Sequence, residues 1–211
     1  MKTRPVLTFA VGAAATLTPA AYMLFFRRRC LNWGARADEV AAKLPGDELL
    51  ADPGLVTTRA ITVHAPAGAI WPWLAQMGSG RAGAYSYDWI ENLLGLNMHS
   101  AAEILPEFQD IKAGDELPLG RDAVMRVEVA DPPRALAVRS TDQNWAWIFA
   151  LLPEGDSTRL VSRNRIATKA LSPASRLFYL LFMEPGSLVM ERKMLLGVKR
   201  RAEHGEYATG E

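Results

Sequence analysis

The chain has 211 residues, and its 24 basic and 23 acidic side chains nearly cancel, so no global basic field points to nucleic acid. Cys30 is the only cysteine, which excludes an intrachain disulfide and a thiolate metal cluster. About 180 residues follow the N-terminal apolar run, the size of one domain.

That run comes first in chain order. Met1-Lys2-Thr3-Arg4 precedes 22 uncharged residues, Pro5 to Phe26, and Arg27-Arg28-Arg29 ends them. As a helix they would span roughly 33 Å, enough to cross a bilayer core of about 30 Å. The rival is a secretory signal with Thr18-Pro19-Ala20 as its cleavage site. The apolar run continues past that site and stops at three arginines, as an anchor does. Residues 1–30 therefore read as a single-pass membrane anchor. Arg27, Arg28, Arg29, Arg36 and Lys43 outnumber Lys2 and Arg4, which places the globular part on the cytoplasmic side. Cys30 is a plain thiol or an acylation site.

Residues 31–55 hold the turn signals Leu44-Pro45-Gly46-Asp47-Glu48 and Asp52-Pro53-Gly54 and read as a connector, with one short helix around Ala37 to Lys43. Thr57 to Ala65 alternates and is β-branched, so a strand is expected. Arg59 shares the parity of Ile61 and Val63. An arginine on that row needs a partner or a polar ligand, unless it sits at the strand end and reaches solvent. Pro66 opens a helix with Ile70, Trp73, Leu74 and Met77 along one stripe, and Gly78 stops it. A second helix is expected from Tyr87 to Leu94, and Ser100-Ala101-Ala102-Glu103 matches a capping box for a third.

From Gly114 the period changes to two. Strands are expected over Asp115 to Leu119, Val124 to Val129, Arg134 to Arg139, Trp145 to Leu152 and Thr158 to Ile166, joined by short turns and hence antiparallel. Leu177 to Met183 reads as a short apolar helix broken by Glu184-Pro185-Gly186. Ser187 to Glu203 follows as a helix with Met190, Met194, Val198 and Ala202 on one face. Residues 206–211 read as a disordered tail.

This order is α+β: a curved antiparallel sheet wrapped around a long C-terminal helix, with an apolar cavity between them and a transmembrane helix in front. Arg59-Ala60-Ile61, Val63, Ala65-Pro66 and Ile70-Trp71-Pro72-Trp73-Leu74 carry a resemblance to the polyketide cyclase/START-like superfamily, which implies the helix-grip fold. Gln76-Met77-Gly78, Gly80-Arg81-Ala82-Gly83, Tyr85-Ser86-Tyr87-Asp88 and Met190-Glu191-Arg192-Lys193-Met194-Leu195-Leu196-Gly197 resemble a bacterial subgroup of it. The likeness covers residues 31–204, and the helix-grip domain is expected over 56–205. It implies fold much more than function.

Gly78-Ser79-Gly80-Arg81-Ala82-Gly83 matches G-x-G-x-x-G, but a helix precedes it and the sheet is antiparallel. A dinucleotide site needs a βαβ unit. The run reads as a hinge between helices, or as a place where Arg81 and free N–H groups hold an anionic group. No cofactor is expected. The histidines His64, His99 and His204 lack ligand spacing, so no metal is expected either. Arg159, Arg163 and Arg165 share a strand face and read as pairing with acids on a neighbouring strand or as solvated, with phosphate headgroups as the alternative.

Candidate cavity residues are Arg59, Trp73, Arg81, Tyr85, Tyr87, Trp145, Trp147, Phe149, Met190 and Met194. The leading reading is a membrane-anchored domain that binds a hydrophobic small molecule or lipid without catalysis. The alternatives are a cyclase/dehydratase-like enzyme on an aromatic or polyketide-like substrate, with Asp88 or Tyr87 as acid or base, and a module that takes a protein partner.

Overall fold

The computed structural model describes residues 22–120 and 123–204. The anchor expected over Pro5–Phe26 lies, up to residue 21, outside the described residues, as does the tail from residue 205. Tyr22–Phe26 forms a single π turn. Among the described residues no helix is long and apolar enough to cross a membrane.

After that turn come α1 (Arg27–Leu31), α2 (Ala37–Ala41) and a 3-10 turn at Asp47–Leu50. β1 (Leu55–Val63) leads into α3 (Ala67–Ala75) and α4 (Asp88–Leu93). Five strands follow: β2 (Glu116–Pro118), β3 (Val124–Asp131), β4 (Ala135–Ser140), β5 (Trp145–Glu154) and β6 (Ser157–Ile166). Last come α5 (Pro173–Phe178), a π turn at Tyr179–Met183, and α6 (Glu184–His204). All strand pairs are antiparallel, in the order β1-β6-β5-β4-β3-β2. A two-residue turn joins β5 to β6, with Glu154 opposite Ser157 and Gly155 at φ +60°. Such tight hairpins demand this left-handed backbone, which glycine adopts without steric penalty.

Strand alternation sorts side chains onto two faces. Val63, Met125, Val127, Leu136, Val138, Phe149, Leu151 and Leu160 turn inward and pack against Ile70, Trp73 and Leu74 of α3 and Met194, Leu195, Val198 and Ala202 of α6. This is the main core, and each fully buried aliphatic side chain in it contributes about 1.5–3 kcal/mol. Ala60, Ala137, Ile148, Ala150 and Val161 face the other way and are covered by Leu44.

Part of residues 31–55, expected as a connector, therefore covers the sheet's outer face, through Ala35, Leu44 and Leu49. The three arginines of β6 hold them there, and neither solvent nor a neighbouring strand takes these charges. Arg159 pairs with Glu39 at 2.6 Å, and Arg163 and Arg165 share Asp47 at 2.6 and 3.2 Å. Arg163 also donates to the Ala42 and Glu39 carbonyls at 2.8 and 2.7 Å. The strand register explains the choice: Arg159 and Arg163 lie opposite Thr62 and Thr58 on β1 and Leu152 and Ile148 on β5, so no acid stands directly across from either, and Glu154, diagonal to Arg159, pairs with Arg36.

Two local expectations fail. Ser100 does not cap a helix, because its N–H and hydroxyl both donate to Asp88, at 2.7 and 2.6 Å; a long-range partner has outcompeted the local one. Glu184-Pro185-Gly186 does not break the C-terminal helix either. The backbone at Glu184 stays helical, at φ −61° and ψ −53°. A π turn sits just before Pro185, whose missing N–H and bulky ring remove one regular backbone bond.

Candidate ligand cavity

A cavity of about 300 Å³ lies between the sheet and the first half of α6, at the lower end of ligand-site volumes. Leu55 and Thr57 of β1, Trp145 and Trp147 of β5, and Asn164 and Ile166 of β6 form one wall. Met190, Glu191 and Met194 of α6 form the facing one. Ala84, Ser86 and Glu91 close one side, and Tyr179 and Met183 of the π turn lie at another. Met183 is also 44% exposed, which marks an open side.

The aromatic wall is fixed by its polar edges. Trp145 and Trp147 stack with centroids 5.7 Å apart. Their indole N–H groups donate to Asn164 Oδ1 at 2.8 Å and to Ser162 Oγ at 2.9 Å. With those donors satisfied inside the protein, the apolar ring surfaces are left for a ligand.

Beside this wall sits a buried polar cluster. Arg59, 0% exposed, forms an ion pair with Glu191 Oε2. Its other nitrogens donate to Ser187 Oγ at 2.9 Å and to the Cys30 carbonyl at 3.1 Å. Asn164 adds a hydrogen bond to Glu191 Oε2 at 3.1 Å. Glu191 Oε1 has no partner, and neither does Oε2 of Glu91. Burial pushes the Glu191 carboxyl above the usual carboxylate range, against the opposing pull of Arg59. Burial, with a smaller push from the Asp88 charge, raises Glu91 to about 7. Asp88 itself lies outside the cavity, tied to Ser100.

Of the candidate residues, Trp145, Trp147, Met190 and Met194 line the cavity. Arg59 stands behind Glu191; it is mid-strand, and neither at the strand end nor in solvent. Phe149 shares the tryptophan face but lies two residues further along β5, where it is buried in the main core. Trp73 points from α3 into the same core, edge-to-face with Tyr85 at 5.9 Å. Tyr85 is buried, donates its hydroxyl to the Trp73 carbonyl at 2.9 Å and lies under the Arg201 guanidinium at 4.6 Å. Its neighbours Ala84 and Ser86 reach the cavity in its place. Tyr87 lines a separate surface depression, with Lys193 Nζ 5.4 Å from its ring.

Arg81 holds no free site for an anion. It donates to the Met77 and Ala75 carbonyls at 3.1 and 2.9 Å, and its guanidinium lies 4.3 Å from the Phe108 ring centroid. The glycine run is a closed loop, with Gly78 and Gly83 exchanging hydrogen bonds at 2.9 and 3.0 Å. The N–H groups of Ser79, Arg81 and Ala82 are likewise taken by protein carbonyls. A phosphate cradle needs those donors free.

Sequence reasoning missed both orphaned carboxylates. A signal for Glu191 exists: it precedes Met194 and Leu195 by three and four positions, which puts it on the buried stripe of α6. Glu91 carries no such signal, since α4 has a single turn and a half and exposes Trp89, Leu93 and Leu94.

No family model matches this sequence, and no curated protein matches it. Among solved structures it is similar to the KanY protein, at 15% identity and TM-score 0.48 over 71% of this chain and 97% of that one. A polyketide-cyclase-like protein from Corynebacterium glutamicum aligns at 17% identity and TM-score 0.37, over 69% of this chain and 89% of that one. The Aha1 dimer from Colwellia psychrerythraea gives 11% and 0.44, over 72% and 98%. At such identities and scores the chain's own topology has to carry the assignment. A six-stranded antiparallel sheet closed by a long C-terminal helix is the helix-grip fold, the architecture that the sequence resemblance implies.

Proposed function

We propose that this chain binds a hydrophobic small molecule or lipid in its internal cavity, without catalysis, while tethered to a membrane by its N-terminal segment. The observation that carries the reading is the cavity wall itself: two stacked tryptophans and two methionines present apolar surface, with the indole donors already satisfied. The tether is supported by the 22 uncharged residues of Pro5–Phe26 and by where they lead. Met23 lines a depression that shares Leu55, Tyr179 and Glu184 with the cavity. Leu177, Phe178, Phe182 and Met183, on α5 and the π turn beside it, are exposed. In this arrangement the open side of the cavity faces the bilayer, and the arginine excess after the apolar run keeps the domain on the cytoplasmic side.

Organic extraction of the full chain purified from its native host, followed by mass spectrometry, tests the binding reading. A stoichiometric hydrophobic molecule is expected; an empty, folded protein that also retains no added lipid would sink it. Fractionation of the same cells tests the tether, which fails if the chain leaves the membrane in an alkaline wash.

A cyclase- or dehydratase-like enzyme is the second reading, favoured by one observation. Glu91 is a carboxyl near neutrality in an apolar cavity, which suits proton transfer at physiological pH. It requires that Glu91→Gln abolish turnover of a bound molecule while leaving its affinity intact.

A further inference from the structure

Among the described residues, three buried side-chain polar atoms have no hydrogen-bond partner. Two of them, Glu91 Oε2 and Glu191 Oε1, belong to residues lining the same cavity. They come from separate helices, α4 and α6, and each residue is 7% exposed. A buried polar group left unpaired costs about 1–3 kcal/mol, so two in one cavity call for a molecule that meets them.

The remaining polar groups of the wall are occupied. Thr57 Oγ1 accepts from Asn164 at 3.3 Å, and Asn164 Oδ1 accepts from Trp145. Ser86 and Ser187 donate to main-chain carbonyls at 3.2 and 2.9 Å. Glu184 takes the Arg27 guanidinium with both carboxylate oxygens, at 2.8 Å each. No Lys, Arg or His among the described residues lines the cavity. An anionic ligand would therefore be buried with no cation on the lining to pair with it, an uncompensated cost. A cationic amine gains little, because Arg59 already neutralises Glu191.

Resting on the hydrophobic-ligand reading, we propose that the ligand is an apolar alcohol, its hydroxyl seated at Glu91 and Glu191 and its hydrocarbon against Trp145, Trp147, Met190 and Met194. The hydroxyl donates to the free oxygen of Glu191, whose other oxygen is held by Arg59 and Asn164. Glu91, a carboxyl that keeps its proton more readily than usual, donates that proton to the hydroxyl oxygen.

The test is a competition. The full chain is equilibrated with equimolar dodecanol, dodecyl methyl ether, dodecanoate and dodecylamine, freed of excess ligand, and extracted for mass spectrometry. Dodecanol is expected to be retained about tenfold over each rival, the factor that about 1.4 kcal/mol of hydrogen bonding supplies. Equal retention of the ether shows that no hydroxyl donor is recognised and overturns the proposal while leaving the cavity reading intact. Dominance of the carboxylate or the amine overturns it in the same way. Retention of none by a folded protein defeats the cavity reading and the proposal together. Glu91→Leu, which spares the Arg59 ion pair, should lower retention of dodecanol and of the ether alike, because both offer Glu91 an acceptor oxygen; unchanged retention of both removes Glu91 from the subsite. Should that variant not fold, the wild-type competition still decides.

Discussion

Arg59 and Glu191 face each other across the sheet–helix interface with almost no water, 0% and 7% exposed. Two charges in such a place are tolerable only as a pair. Glu191→Ala leaves the guanidinium with Ser187 and one carbonyl for company, and is expected to lower unfolding free energy by about 3–5 kcal/mol in urea denaturation. A loss under 1 kcal/mol would mean that the pair is not buried as described. The pH dependence at this scale has a definite sign. The folded-state value of Glu91, about 7, lies above its unfolded value of about 4.5. The folded protein therefore holds this proton more tightly, and the stability linked to it is complete below about pH 4.5 and lost as pH rises to about 7. Glu91→Gln should remove this share of the slope across that window; an unchanged slope would show that the group does not titrate there.

Between elements, α6 presses closely against the turn at Tyr85. A Cβ on Gly197 would lie 2.4 Å from the Tyr85 carbonyl oxygen and 2.8 Å from its Cβ. Tyr85 itself sits at φ +56°, with Ala84 and Ser86 reaching the cavity on either side. In an open helix Gly→Ala gains about 1 kcal/mol of propensity, but overpacking of this kind costs about 1–3 kcal/mol. Gly197→Ala should therefore destabilise the fold by about 1–2 kcal/mol and reduce ligand retention by displacing the turn. A rise in stability would show that the helix does not press on it. The outer face gives a second lesson at this scale. Arg159, Arg163 and Arg165 were visible in the sequence as one row, and their charge called for acids. That Glu39 and Asp47 supply them from residues 31–55 follows from a chain path that no local pattern encodes.

At the scale of the whole molecule, one sheet separates two environments: a cavity and core on one face and a salt-bridged layer on the other. The segment following the uncharged run is latched to the start of α6. Arg27 and Tyr22 both bind Glu184, the latter at 3.2 Å, and the Cys30 thiol donates to the Glu184 carbonyl at 3.2 Å. Glu184 and Tyr179 also line the cavity, so the N-terminal segment and the cavity share a rim. A ligand that binds only the folded state at one hundred times its dissociation constant adds about 2.7 kcal/mol. For a domain of this size that raises the melting temperature by about 5–11 °C, and a scan with and without dodecanol measures it. No shift would place the alcohol outside the folded cavity.

The sequence by itself determined the element order and which residues of a strand share a face. Period-two alternation, the β5–β6 turn and the apolar stripe of α6 are local patterns, and local patterns survive without knowledge of neighbours. It also identified Trp145, Trp147, Met190 and Met194 as residues that the structure brings together in one cavity. Only tertiary structure decided which inward side chains meet empty space and which meet core. Trp147 and Phe149 share a face, yet Phe149 is buried in the core while Trp147 lines the cavity. Tertiary structure also decided that two glutamates far apart in the chain each leave an oxygen unpaired in the same cavity. Burial and hydrogen-bond satisfaction are sums over partners from the whole chain, and no window of neighbouring residues contains them.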